Sequence, residues 1–269
     1  MSNSQPSKVF LFDDSDSAMQ QAYEKARANF RYFWREVAWE RRRIIPALDL
    51  ACVKVGFCDG EGERDDGNPQ VEQMWLSDVD FDGKTVTGTL LNAPNWLTTV
   101  KEGDFARRPL DEISDWMYAI SGEVFGGYTV NLMRSRMGRQ ERQEHDDAWG
   151  FNFGDPAKIR VAPESNSGGG FLKRWFGKRE EVSEDHPMSV AMAESLKAQL
   201  AENPSMLTQT DDRGWTFLHQ EALAGSVPTV KVLLEAGADV HAKTDHGMTA
   251  LQLAKSLGWE NVVALMDSQ

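Results

Sequence analysis

The residues whose types and spacing come nearest to chemistry form the acidic run Asp78-Val-Asp-Phe-Asp-Gly83, which reproduces the first six positions of a calcium loop. In such a loop alternating carboxylates converge on the ion, the glycine makes the turn, and a bidentate glutamate closes the shell at the twelfth position. Here the twelfth position is Thr89, and an Asp-Gly pair between two strand-like runs is already explained by a hairpin. A second acidic loop, Asp59-Gly-Glu-Gly-Glu-Arg-Asp-Asp66, has Arg64 where the turn glycine belongs. No metal site is therefore expected. Cys52 and Cys58 read as inert thiols, because a strand between them separates them by about 20 Å, too far for a disulfide. The five histidines are His145, His186, His219, His241 and His246. None sits in a His-Glu-x-x-His pattern, and the chain has no phosphate-cradling glycine loop, nucleophile elbow or Cys-x-x-Cys pair. These residues predict a protein with no catalytic set and no cofactor. The alternative is an enzyme whose site is assembled in space within the first 140 residues.

The elements that carry these residues are clearest in the C-terminal third. Asp212-Arg-Gly-Trp-Thr-Phe-Leu-His219 returns 33 residues later as Asp245-His-Gly-Met-Thr-Ala-Leu-Gln252, and Gly225 and Val230 return as Gly258 and Val263. Thr216 and Thr249 are placed to cap helices through their hydroxyls. Leu218 and Leu251 fall on the buried stripe, while Gly225, Gly258 and Gly237 supply left-handed residues at helix ends. His219 is read as structural. The period and the Thr-x-Leu-His signature resemble ankyrin repeats, with Phe217 for the usual proline, Ala250 and Gln252 for proline and histidine, and Glu221 where a small residue is expected. Since about three repeats are needed to close a core, the helical spacing of Val190, Ala193, Leu196 and Leu200 is read as a degenerate first repeat. Ankyrin arrays bind proteins through hairpin tips and the concave helix face. The resemblance thus nominates Arg213, Trp215, His241, Lys243, His246 and Met248 for partner binding, with Trp215 as the anchor.

Upstream the grammar is mixed. Ala18, Ala22, Ala26, Phe30, Phe33 and Val37 predict a helix over 17–42, opened by a Ser17–Gln20 capping box and ended by solvated Arg41-Arg-Arg43 before Pro46. Strands are predicted at 50–58, 72–81, 84–91, 104–107 and 113–121, and a second helix at 128–137. Val53-Lys-Val55, Glu72-Gln-Met-Trp75, Gly88-Thr-Leu-Leu-Asn-Ala-Pro94, Lys101-Glu-Gly-Asp104, Asp115-Trp116 and Gly126-Gly-Tyr128 together resemble the bacterial family DUF2314, typified by YegJ-like proteins. The resemblance implies no reaction. Trp75 and Trp116 read as core aromatics, and Gly126-Gly127 as a flexible lead into the second helix.

The fold class expected is α+β: an N-terminal antiparallel sheet with flanking helices over 1–140, a linker over 141–187, and an all-α ankyrin-repeat stack over 188–269. The linker contains Ser165-Asn-Ser-Gly-Gly-Gly170 and a basic aromatic segment, Phe171-Leu-Lys-Arg-Trp-Phe-Gly-Lys-Arg179, read as docking onto a neighbouring domain. The chain of 269 residues has no apolar run of membrane-spanning length and no signal core, so it reads as cytoplasmic. Its 42 acidic against 29 basic residues give a net charge of −13, which disfavours nucleic acid and favours a basic protein partner. Oligomeric state has no signal in the sequence. The function expected is a bacterial protein-binding protein, in its sharper form an immunity protein neutralising a toxin, with a regulatory or stress adaptor as another alternative.

Overall fold

The computed structural model describes residues 16–60, 70–163 and 185–268. The Gly-rich stretch 165–170, the basic aromatic segment 171–179 and most of the acidic loop 59–66 lie outside them. Helix α1 (Ser17–Glu40) starts at Asp16, whose Oδ1 accepts from the Ala18 N–H at 2.9 Å. The expected Ser17–Gln20 box is thus displaced by one residue, because a carboxylate at the cap satisfies the orphan N–H and also suits the positive end of the helix. Met19, Ala22, Ala26, Phe30, Phe33 and Val37 form the buried stripe. Every residue from Tyr32 to Trp39 is also buried. A helix buried all round must lie between two partners, and here they are a sheet and the repeats.

The sheet is antiparallel throughout, in the order β4-β3-β2-β1-β5-β6. Its strands are β1 (Leu48–Phe57), β2 (Glu72–Phe81), β3 (Thr85–Leu90), β4 (Phe105–Pro109), β5 (Ile113–Ile120) and β6 (Glu123–Gly126). Because side chains alternate along a strand, each face collects its own set. Val53, Val55, Phe57, Met74, Leu76, Trp116 and Tyr118 pack toward α1. Cys52, Trp75, Met117, Ala119 and Val124 form a second cluster with Val130 and Phe153. This second cluster is completed by α2 (Tyr128–Arg136) and by Trp149 at the end of α3 (Arg139–Trp149). Strand β6 and helix α3 have no counterpart in the sequence reading. In the segment read as a linker, residues 141–149 belong to α3, and Phe151 and Phe153 pack on the second cluster.

The C-terminal helices are α4 (Ser189–Glu202), α5 (Phe217–Leu223), α6 (Val227–Glu235), α7 (Ala250–Ser256) and α8 (Glu260–Asp267). Thr216 and Thr249 make capping boxes, with His219 and Gln252 as the reciprocal partners. Helix α4 packs on α6 and α5 on α7. Trp116, Phe33, Leu223 and Trp259 belong to one continuous apolar core that runs from the sheet through α1 into the repeats.

Candidate functional site

The six repeat residues expected to meet a partner divide into two sets. Arg213, Trp215 and Met248 turn inward. Arg213 Nη1 lies 2.9 Å from Asp80 Oδ2 of β2, and its guanidinium covers the Trp215 ring at 4.7 Å. Trp215 is only 3% exposed, so its reading as a surface anchor is corrected: the hairpin tip that carries it is packed against the chain's own sheet domain. Met248, 7% exposed, approaches the β2–β3 turn so closely that a Cβ on Gly83 would lie 3.3 Å from its Cε and 2.5 Å from Leu253 Cδ2. His241, Lys243 and His246 remain exposed on the hairpin between α6 and α7, which the Lys243–Thr249 bridge closes. His246 also lines a shallow groove of about 320 Å³ with Lys84, Gly247, Met248, Gln252 and Ser256.

The two regions are joined by charges that the sequence reading placed in solvent. Arg41 Nη1 is 2.8 Å from Asp80 Oδ1, so Asp80 is held between Arg41 and Arg213. Arg42 grips Glu221 with both terminal nitrogens, at 2.8 Å and 3.2 Å. The Glu221 carboxylate is 2% exposed and also accepts from Thr229 Oγ1 at 2.5 Å. Arg43 Nε lies 3.6 Å from Glu40 Oε2. Arg41 and Arg42 are therefore docking residues rather than a solvated helix end, because each reaches a carboxylate of another element, whereas Arg43 lies near Glu40 of α1 itself. Further back on α1, Arg31 Nη1 donates to Gly258 O at 2.7 Å and its guanidinium lies over the Trp259 ring.

A buried charge cluster lies beside this seam. Glu36 accepts from Arg35 Nη2 at 3.0 Å and lies 3.3 Å from His186 Nε2. The Met188 N–H donates to His186 Nδ1 at 3.1 Å, which leaves the ring proton on Nε2, facing Glu36. Burial pushes the Glu36 carboxyl up, but His186 and Arg35 outweigh it and hold the group below the usual carboxylate range. The His186 ring stacks on Trp39 at 4.9 Å.

On the other face of the sheet, Lys54 and Asp115 stand opposite each other on β1 and β5, and both are buried. Asp115 accepts from the Tyr128 and Thr129 N–H groups at 2.9 and 2.7 Å and from Thr129 Oγ1 at 2.6 Å. Lys54 Nζ lies 2.8 Å from Thr129 Oγ1 and 4.6 Å from the centre of the Trp75 ring. Burial pushes the Lys54 ammonium down and the Asp115 carboxyl up. Covered by Trp75 and Thr129, the pair anchors the start of α2 to the sheet. Gly126-Gly127 is correspondingly not a loose lead-in, since Gly127 N donates to Trp116 O at 2.8 Å.

The acidic run does not converge. Asp80 belongs to the seam, Asp82 Oδ1 accepts from the Lys84 and Thr85 N–H groups of the hairpin, and Asp78 is exposed. Among the described residues no group of three or more His, Cys, Asp or Glu is placed to hold a metal. Cys52 is buried, which pushes its thiol well up, and Cys58 is free and exposed. No described helix is long and apolar enough to cross a membrane.

These features define an α+β sheet domain with an ankyrin stack folded back upon it. The chain belongs to the bacterial family DUF2314: the family model, described as an uncharacterized protein conserved in bacteria, matches residues 16–153, and an ankyrin model of three copies matches 188–268. It is 42% identical over 262 residues, 97% of either chain, to a Neisseria meningitidis serogroup B protein named for its ankyrin repeats. It is 31% identical over 75 residues to the uncharacterized protein YegJ of Escherichia coli K12, covering 28% of this chain and 49% of that one. A solved complex of a Bdellovibrio bacteriovorus predatory endopeptidase with an immunity protein aligns with 30% of this chain and 42% of that one, at 24% identity. Its TM-score of 0.28 carries no argument. Ankyrin repeats make this an interaction protein with protein partners.

Proposed function

We propose that this chain is a non-catalytic cytoplasmic protein that captures a basic protein, with the hairpin bearing His241, Lys243 and His246 as the contact. The observation that carries the reading is the division of the repeat residues: Arg213, Trp215 and Met248 are engaged within the chain, whereas these three stay exposed on the same array. The hairpin also carries exposed Asp239 and Asp245 beside Lys243, so it is locally mixed in sign and offers carboxylates to a cationic partner. The overall charge of −13 supports steering of such a partner over longer range.

The test is affinity capture from the native cytoplasm with the full-length chain beside a His241→Ala, Lys243→Ala, His246→Ala variant. Recovery of one basic protein by the wild type, and its loss from the variant, supports the reading. Equal recovery from both moves the contact elsewhere, and no stable partner sinks the proposal. The sharper form, in which the partner is a toxin, predicts that expressing this chain rescues cells producing that partner.

A further inference from the structure

The side of an ankyrin array that usually receives a target, formed by hairpin tips and the first helix of each repeat, is occupied in this chain. Arg213 and Met248 of the tips meet Asp80 and Gly83, and Glu221 of α5 meets Arg42. At the far end of the stack Trp259 packs edge-on against Tyr32, with Arg31 over both rings. Arg31 lies within α1 and Arg42 two residues beyond its end, about 16 Å further on at the helical rise per residue, so α1 with the turn that follows it crosses the array from its third repeat to its second.

Glu221 is the informative position. The repeat pattern expects a small residue there, and a carboxylate 2% exposed is strongly unfavourable without a cation. Thr229 satisfies one oxygen with a neutral donor, and among the described residues Arg42 is the one that brings charge. The face is thus complementary to a helix that presents an arginine to Glu221 and an Arg-Tyr pair to Trp259.

We infer that the ligand of this face is the chain's own α1, that Glu221 selects it, and that an outside protein takes the face only by displacing α1 with a helix of that pattern. The inference does not depend on the partner of the exposed hairpin, so either can fail alone.

Charge reversal in the full-length chain tests it. Glu221→Arg or Arg42→Glu is expected to raise amide exchange in the second half of α1 and in the β2–β3 turn at least tenfold. The double reversal is expected to return it to within about threefold of wild type. Singles as protected as the wild type, or a double as open as the singles, overturn the inference. Should a reversal prevent folding, Glu221→Gln keeps the shape and the Thr229 contact, and is expected to raise the same exchange about threefold; unchanged exchange overturns it. A labelled synthetic peptide of residues 27–43 is expected to bind the Arg42→Glu chain at least tenfold more tightly than the wild type, whose face is filled. Equal binding, or binding to neither, overturns the displacement.

Discussion

Arg42, two residues beyond α1, holds both carboxylate oxygens of Glu221 in the second ankyrin repeat. The pair lies far apart in sequence and is unevenly buried: Glu221 is 2% exposed and Arg42 is 21% exposed. That asymmetry decides what each truncation leaves behind.

Removing the cation strands a buried carboxylate, whereas removing the carboxylate leaves an arginine that can rehydrate. Arg42→Ala is expected to destabilise the chain by about 3–5 kcal/mol. Glu221→Ala, which restores the small residue of the repeat pattern, is expected to lose only about 1–2 kcal/mol. Urea unfolding of both variants measures the difference, and the reverse order would show that the pair is not the closure of the seam.

His219 gives the second repeat a pH dependence that the third lacks. The Thr216 N–H donates to His219 Nδ1 at 3.1 Å, so the ring proton is on Nε2, directed at Ala242 O 3.0 Å away. Burial pushes the imidazole below its ordinary value, against the pull of Ala242. A depressed folded pKa means that the unfolded chain binds the proton first, so stability is present above about pH 6.5 and falls as the solution is acidified. In the third repeat Gln252 Oε1 accepts from the Thr249 N–H in the same way and does not titrate. His219→Gln is expected to remove up to about 1.4 kcal/mol per pH unit of that slope. Melting curves between pH 5 and 7.5 would show it, and an unchanged slope would place the titration elsewhere.

Glu36 acts at lower pH. Burial raises its carboxyl, but His186 and Arg35 hold it below the usual range, so its contribution is present above about pH 4.3 and is lost as pH falls through the folded value. Glu36→Gln is expected to lower stability at pH 7 and to flatten its decline below about pH 4.3. Acid titration followed by tryptophan fluorescence tests this, because Trp39 stacks on His186 beside the group. Parallel acid curves for the two chains would contradict it.

Gly225 and Gly237 both have positive φ, 72° and 89°, but only one is crowded. A Cβ on Gly225 would lie 2.3 Å from the Trp259 ring, whereas nothing lies within 4 Å of one on Gly237. Gly237→Ala is expected to lose about 1 kcal/mol from backbone strain alone. Gly225→Ala adds the clash and is expected to lose about 3 kcal/mol in all. Equal losses in thermal unfolding would show that Trp259 yields without penalty.

The readings that agree with the structure rest on local patterns. The 33-residue period, the Thr caps and the helix-ending glycines were legible because each repeat builds its own turn and helix pair. The Asp82-Gly83 hairpin and the alternation of Val53, Val55 and Phe57 were equally local. Strand β6 escaped because it has four residues, and α3 because it has no buried residue and therefore no apolar period. Helix α3 is held by Arg134, which reaches Asp146 at 2.6 Å, and by Trp149 packed against Trp75 and Phe153.

The departure of Glu221 from the repeat pattern was visible in the sequence, but its explanation was not. An unpaired acidic residue on a helix reads as surface until a cation from elsewhere is placed upon it, and Arg42 read as a helix end for the same reason. Trp215 likewise met the criteria for an exposed hairpin tip until Asp80 drew Arg213 down across it. The sequence by itself determined most of the elements, though not β6 or α3, and the two families in their order along the chain, since hydrophobic period, caps and turns act over a few residues. Only the tertiary structure decided that the stack folds back onto α1, and hence which repeat residues stay exposed, because that depends on charges more than a hundred residues apart meeting across the seam, at Glu221 where water is excluded and at Asp80 where it is not.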